Sequence, residues 1–251
     1  MNVLSFIKLQ GESKIMNKYI YDGYSDIGQR QNNEDAFLMC EVNGGYLFIV
    51  ADGLGGHDCG EVASSLAVKV IQETVQDTGD IGLGIKKANQ IIFEKNQNSS
   101  YKMLTTIAVV YIHDHQTIIS HVGDTRIYVF QNGKIIFQSQ DHSVSQMSVI
   151  VGEITTSQIR QHQDRNKLTK VLGAKKEIKV DVKNINHNYD ALLLCTDGFW
   201  EYVLENDMEI LLGLSNRPDQ WLIKMKKVLE KNKQIKNDNN TAIAVLKKEA
   251  C

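Results

Sequence analysis

The chain has 251 residues, 42% of them apolar and 23% charged, with a formal net charge of −2. That length suits one large domain with a substantial core. The near-neutral balance offers no field to draw nucleic acid or a membrane surface, and no apolar run nears the ~20 residues of a membrane helix.

Residues 1–17 show weak periodicity, a short apolar patch and no small-residue cleavage site, so a secretory signal is not expected. They read as a leader, or Met16 is the true start. From Tyr19 onward β signals are dense. AFLMC (36–40) follows Glu34-Asp35, and YLFIV (46–50) is an apolar run of the kind buried on both faces of a sheet. It stops at Asp52-Gly53, where ADGLGGHDCGEVAS opens either a phosphate cradle or a metal site. After Gly60, residues Val62, Ala63, Leu66, Ala67, Val70 and Ile71 fall at helical spacing, and Ile85, Ala88, Ile91 and Ile92 mark a second helix.

TTIAVVYI (105–112), TIISHV (117–122) and RIYVF (126–130) are rich in β-branched and aromatic residues. HDHQ joins the first two and Gly123-Asp124 separates the second from the third, which reads as an antiparallel meander. Asn132-Gly133 then makes a tight hairpin to KIIFQ. Residues 141–173 form a polar segment with short helical runs that does not look like core. ALLLC (191–195) and TAIAVL (241–246) are two more buried strands. Between them Trp221, Leu222, Met225, Val228 and Leu229 mark a late helix with a solvated lysine face. Strands that join mostly as hairpins, with helices in groups, give an α+β class: antiparallel sheets covered by helices. No composition break divides the chain. The cysteines, Cys40, Cys59, Cys195 and Cys251, lack C-x-x-C spacing and read as free thiols of a reducing, cytoplasmic setting.

One pattern recurs. Asp52, Asp124, Asp197 and Asp238 each stand at the end of an apolar strand, as does the pair Glu34-Asp35. Any one Asp-Gly after a strand is most simply a turn, but strand ends on one edge of a sandwich bring distant residues together. Buried carboxylates repel and raise one another's pKa unless a cation neutralises them. Oxygen-only ligands select Mg²⁺ or Mn²⁺. Glycine after Asp52 and Asp197 lets backbone approach closely. Arg30, four residues before Glu34, fits a bound anion, because guanidinium grips phosphate bidentately; the plain alternative is a surface arginine paired with a nearby acid.

These segments together resemble the metal-dependent serine/threonine protein phosphatases of the PPM, or type 2C, family in their compact bacterial form. The matching stretches are SDIGQRQNNEDAF, VADGLGGHDCGEVAS, LTTIAVVYI, SHVGDTRIYVF, QDHSVSQMSVIVGEIT, DRNKLTKVLG, LLLCTDGFWEYV and DNNTAIAVL, in family order. The resemblance implies an α-β-β-α sandwich, two stacked antiparallel sheets flanked by helices, as a single domain over 18–249 with a flap at about 141–173. It implies two Mn²⁺ or Mg²⁺ ions. Asp52 would bridge them, Gly53 would offer its carbonyl, Asp35, Asp197 and Asp238 would complete the ligand set, and Glu34 would assist through water. Asp124 matches a ligand of a third ion, and Arg30 the group that holds substrate phosphate. Asn239 and Thr241 are expected to orient Asp238. The mechanism implied is direct attack of a metal-bridging hydroxide on phosphoserine or phosphothreonine, with no covalent intermediate. Partners would be phosphoproteins, with a cognate kinase opposing the enzyme, and the chain would be a monomer.

Three departures stand out. Leu104 replaces a glycine before Thr105-Thr106. Leu54 stands where animal members carry a histidine, leaving His57 as candidate general acid or loop-holding residue. His162-Gln163-Asp164 replaces His-Pro before the flap's Arg-Asn. Of the rival readings, a pseudophosphatase that binds phosphoproteins without turnover predicts a lost ligand, and none is lost. A P-loop needs Gly-Lys-Ser/Thr where this chain has Gly56-His57-Asp58. A zinc deaminase needs a Pro-Cys-x-x-Cys partner that is absent.

Overall fold

The computed structural model describes residues 18–55, 59–233 and 237–248, so His57 and the leader 1–17 lie outside the described residues. The apolar runs form the strands they predict, in two wholly antiparallel sheets. The first has the order β1 (Tyr19–Asp26), β11 (Asn240–Lys247), β10 (Ala191–Cys195), β7 (Arg126–Gln131), β8 (Lys134–Gln138). The second runs β2 (Asp35–Val42), β3 (Gly45–Leu54), β5 (Ile107–His113), β6 (Gln116–Val122), β9 (Val182–Ile185), with the short β4 (Leu104–Thr105) also on β3.

The sheets stack face to face. Tyr46, Phe48, Val50, Ala108 and Val110 of one meet Ile127, Val129, Leu192, Leu194, Ile243 and Val245 of the other in a sealed central layer. The alternate residues of the second sheet, Leu47, Ile49 and Ala51 among them, pack under α1 (Cys59–Thr78) and α2 (Ile81–Gln97). Those of the first pack under α4 (Asp197–Trp200), α5 (Glu205–Gly213) and α6 (Pro218–Asn232). Both faces of each central strand are therefore buried, which is why β3, β10 and β11 read as continuous apolar runs rather than alternating ones. The expected α-β-β-α sandwich is the one observed.

The meander expected from 105–130 is broken. β5 and β6 pair, but β7 belongs to the other sheet. Gly123 makes the switch at φ +99°, where a Cβ would meet the Thr106 side chain at 2.5 Å, so the chain leaves one sheet and enters the next within two residues. Val62, expected inward on α1, is 51% exposed; Ser64 and Val68 take the buried face instead. The segment 141–173 carries α3 (Val144–Ile150), capped by the Ser143 side chain, and a 3₁₀ turn, Thr156–Gln161. It is more anchored than its polarity suggests, since Ile159 and Leu172 are fully buried. The late lysine face is also partly engaged: Lys226 pairs with Asp26 at 2.7 Å and lies over the Tyr24 ring.

Candidate functional site

At one end of the sandwich, a cleft of about 240 Å³ is lined by Arg30, Glu34, Asp52, Gly53, Leu54, Gly55, Asp124, Asn166, Leu168, Asp197, Asp238 and Asn239. Five separate stretches of chain contribute its acids. Asp35 opens β2 directly opposite Asp52 on β3. Asp124 sits in the sheet switch, Asp197 begins α4 after β10, and Asp238 precedes β11.

Each acid is anchored through its backbone or an adjoining residue. The Asp52 N–H donates to Thr106 Oγ1 at 3.0 Å, and its carbonyl accepts from Thr105 Oγ1 and the Thr106 N–H, both at 2.8 Å. The Glu34 carbonyl accepts from the Ser64 hydroxyl at 2.6 Å and the Gly53 N–H at 3.1 Å. The glycines after Asp52 and Asp197 are required by close approach of neighbouring backbone: a Cβ on Gly53 would lie 2.2 Å from the Gly60 carbonyl oxygen, and one on Gly198 2.1 Å from that of Asn239.

Asn239 and Thr241 act differently from expectation. Thr241 Oγ1 donates to Asp35 Oδ2 at 2.6 Å, not to Asp238, and Thr196 Oγ1 donates to the same oxygen at 3.0 Å. The Asn239 side chain clamps the Arg30–Glu34 loop. Its Oδ1 accepts from the Glu34 N–H, and its Nδ2 donates to the Ile27 and Asn32 carbonyls. Only the Asn239 backbone N–H touches Asp238, at 2.8 Å. The Thr105-Thr106 pair and Thr196 are the positioning residues that the sequence reading missed. Thr196 precedes Asp197, and a hydroxyl beside a buried carboxylate is the signal that would have found it; Thr105 and Thr106 have no acid beside them in sequence and reach Asp52 only through the fold.

The electrostatics are those of crowded, poorly hydrated acids. Burial pushes Asp35 up to about 7 against its two threonine hydrogen bonds, with Asp238 and Glu34 adding repulsion. Burial, then Asp141, pushes Asp124 up to about 7. Asp52 is driven well above the carboxylate range by burial, then by Asp197, Asp35, Asp124 and Asp238. Asp197 rises likewise through burial, Asp124 and Glu201. Asp52 and Asp197 each feel four neighbouring carboxylates. The cationic group at the rim is Arg30, whose Nη2 donates to Asp238 Oδ2 at 2.5 Å while the side chain stays 59% exposed; that hydrogen bond raises its pKa.

Among the described residues, no three His, Cys, Asp or Glu side chains are closed into an ion-holding group. Asp238 pairs with Arg30, and Asp35 accepts from Thr241 and Thr196. The donor set still suits a hard divalent cation. It is all oxygen, and the raised pKa values of Asp35, Asp52, Asp124 and Asp197 report the charge a cation would offset.

Asp141, at the start of the 141–173 segment, forms a buried bidentate pair with Arg126 on β7 at 2.8 and 2.7 Å. The Arg126 guanidinium stacks 3.4 Å from the Trp200 ring centroid. Trp200 Nε1 donates to the Asp124 carbonyl at 2.9 Å, and Arg160 of the 3₁₀ turn donates to the Trp200 carbonyl at 3.0 Å. The segment is therefore wired to the backbone beside Asp124 and Asp197.

Comparison with known proteins points the same way. Residues 22–239 match the family model for protein phosphatase 2C. The chain is 30% identical over 213 residues to the serine/threonine phosphatase stp of Listeria welshimeri, covering 78% of this chain and 84% of that one. The crystal structure of the serine/threonine phosphatase Stp1 from Staphylococcus aureus superposes with a TM-score of 0.82 at 26% identity, covering 99% of this chain and 100% of that one. The catalytic domain of the serine threonine protein phosphatase PstP, solved in complex with 2 manganese ions, shares the fold at a TM-score of 0.75 and 23% identity, covering 91% of this chain and 98% of that one.

Proposed function

The chain belongs to the protein phosphatase 2C family of serine/threonine protein phosphatases, and from that premise we propose that it hydrolyses phosphoserine and phosphothreonine in proteins by direct transfer to water at the acidic cleft. The observation that carries this reading is the convergence of Asp52, Asp124, Asp197, Asp238 and Glu34 on one cleft with Arg30 at its rim.

Asp52, Asp35, Asp197, Asp238 and the Gly53 carbonyl would hold a pair of Mn²⁺ or Mg²⁺ ions, with Glu34 assisting through water and Asp124 serving a third. Bound there, such a pair would acidify water and offset charge on the phosphoryl oxygens. Asp52 takes the central role in this reading: it lines the cleft and lies directly opposite Asp35 across the β2–β3 pair. Arg30 exchanges Asp238 for two phosphate oxygens when substrate arrives, fixing phosphorus in line for attack. Its exposed stem suits a group that meets substrate at the rim. Thr105, Thr106, Thr196 and Thr241 fix Asp52 and Asp35 without touching substrate. No cysteine joins the described lining of the cleft, and in this reading water attacks phosphorus directly while the aspartates serve as ligands. His57 remains a candidate to protonate the leaving oxygen. Phosphorylated proteins are the substrates, with a cognate kinase as the opposing partner. Among the described residues no helix is long and apolar enough to cross a membrane, in keeping with a cytoplasmic setting and phosphoproteins met in solution.

Purified protein should hydrolyse an aryl phosphate and a phosphothreonine peptide with Mn²⁺ or Mg²⁺ and stop in chelator. Asp52→Asn should abolish turnover while leaving the circular dichroism spectrum unchanged. Wild-type silence with both ions would leave a phosphoprotein-binding role without turnover; full activity of Asp52→Asn would remove that residue from the centre.

A further inference from the structure

Leu168 walls the catalytic cleft on one side and a second pocket on the other. That second pocket, about 440 Å³, is lined by Asn89, His142, Lys170, Lys175, Lys179 and Glu177, among others. Three lysines against one glutamate give it an excess of positive charge, the opposite sign to the acidic cleft next door. The lysines are weakly engaged. Lys170 Nζ and Lys179 Nζ approach the carboxylate of Asp181 only to 3.9 and 3.7 Å, beyond hydrogen-bond length. Lys175 has no ion-pair partner among the described residues. Burial and the charge of Lys179 hold the Lys170 ammonium below its ordinary pKa despite Asp181, so an anion seated between the two would be welcome.

The pocket is also built rigidly. Asn89, itself buried, donates from Nδ2 to the Lys175 and Lys176 carbonyls at 3.0 and 3.1 Å and accepts the Gly173 N–H on Oδ1 at 2.9 Å. Asn96 donates to the Gly173 carbonyl at 3.1 Å. The loop bearing Lys175 is thereby pinned to α2. On the other wall, His142 is fixed through its ring Nδ1, which accepts the Gly123 N–H at 3.1 Å, and through its carbonyl, which accepts the Thr169 N–H at 2.8 Å. Backbone on such a frame loses little further freedom when a ligand enters, so the cost of ordering falls on the lysine side chains alone.

We propose that this lysine pocket is a substrate subsite that takes a second anionic side chain, a phosphate or a carboxylate, a few residues from the phosphoserine or phosphothreonine being hydrolysed. The proposal rests on the phosphatase reading above. Two pockets that share one wall residue are bridged by a short extended peptide at ~3.4 Å per residue, so the second group belongs to the same substrate segment. In that reading the positive charge of the cleft is committed to the phosphate being hydrolysed, so a second anion on the same segment is met by the adjoining basic pocket, which selects substrates by it.

The experiment uses full-length protein with Mn²⁺ at fixed ionic strength and three peptide sets. The first carries a single phosphothreonine, the second adds a phosphoserine at each position from two to five residues away on either side, and the third places glutamate there instead. Wild type should show kcat/KM about ten-fold higher for at least one spaced anionic peptide than for the singly charged one, the scale of one partly desolvated charge pair. Lys170→Gln/Lys175→Gln/Lys179→Gln should lose that preference and retain kcat/KM on the singly phosphorylated peptide. A gain only with phosphoserine assigns the subsite to a second phosphate; an equal gain with glutamate assigns it to any acidic side chain. Equal rates for all three sets in wild type, or a preference that survives in the triple variant, would overturn the subsite. Absence of turnover on every peptide would instead overturn the phosphatase reading.

Discussion

Replacing Asp141 by Asn isolates one buried charge. Arg126 and Asp141 have side chains 1% and 2% exposed, so neither can turn to water when its partner is lost. Asparagine is nearly isosteric and can still accept one of the two guanidinium hydrogen bonds, so packing changes little and the loss is the neutralised carboxylate. Breaking a buried pair from one side costs ~3–5 kcal/mol, because the remaining charge stays desolvated. Here Glu205 Oε1 stands 3.6 Å from Arg126 Nη1, Tyr128 accepts a hydrogen bond from Nη1 at 3.1 Å, and the Trp200 face lies 3.4 Å away. Those neighbours hold the cost near the lower bound, about 3 kcal/mol. At ~2–4 °C per kcal/mol for a chain of this size, Tm should fall by roughly 6–12 °C. Thermal melts followed by circular dichroism at constant salt measure it. Arg126→Met with Asp141→Asn removes the stranded charge, so the double variant should melt above the single one. A single variant within about 2 °C of wild type, or a double variant that melts lower than the single, would refute a stranded charge as the cause.

Thr241→Val deletes the 2.6 Å hydrogen bond to Asp35; the Mn²⁺ concentration for half-maximal activity should rise ~10–100-fold with the maximal rate less affected, as for other residues that orient a ligand. Arg30→Lys keeps charge but loses the two-pronged grip, so KM for a phosphopeptide should rise about ten-fold while kcat changes less, by steady-state kinetics. In chelator, Asp35 and Asp124 should make stability fall as pH rises from about 4 through 7 and level off by about 8, because they bind protons in the fold up to about 7 whereas unfolded carboxylates have shed theirs by about 4. His121, His142 and His187 have lowered pKa values and work the other way, but only below the ordinary histidine value of 6.5. Melting curves above that value test the sign, and saturating Mn²⁺ should remove the slope.

The sequence made the acids legible because each follows or precedes an apolar run too long and too uniform to be anything but a buried strand. Strand ends have few places to go, and Asp35 opposite Asp52 is the pairing that a simple β2–β3 hairpin requires. The switch at Gly123 was not legible. β-branched runs joined by two residues predict a hairpin, and only the steric contact with Thr106, far along the chain, makes the left-handed Gly123 lead into the other sheet. The partner of Thr241 was hidden for a similar reason. Neighbouring sequence suggests Asp238, whereas pairing of β11 with β1 and β10 turns the hydroxyl toward Asp35 on the opposed sheet. The lysine pocket was equally invisible, since Lys170, Lys175 and Lys179 become one surface only when Asn89 folds their loop onto α2.

The anchoring of the acids also explains how a site can be built before its cations arrive. Asp52 and Glu34 are held by backbone atoms, and Asp197 starts a short helix after the rigid strand β10. Their Cα positions are thus fixed by sheet pairing, which the sealed layer between the sheets stabilises. The carboxylates of Asp238, Asp52 and Asp197 are not held by hydroxyl donors among the described residues as that of Asp35 is. Asp238 rests on Arg30, and Asp52 and Asp197 are raised in pKa instead of being paired. On the proposed reading, a cation at this site would need only side-chain rotations, because the backbone that carries the acids is already in place. The free energy otherwise lost to crowding buried charge would become binding free energy. The same geometry bears on the role proposed for Arg30: were Asp238 to turn toward a cation, the Arg30 guanidinium would be left at the rim with its donors open to a phosphate.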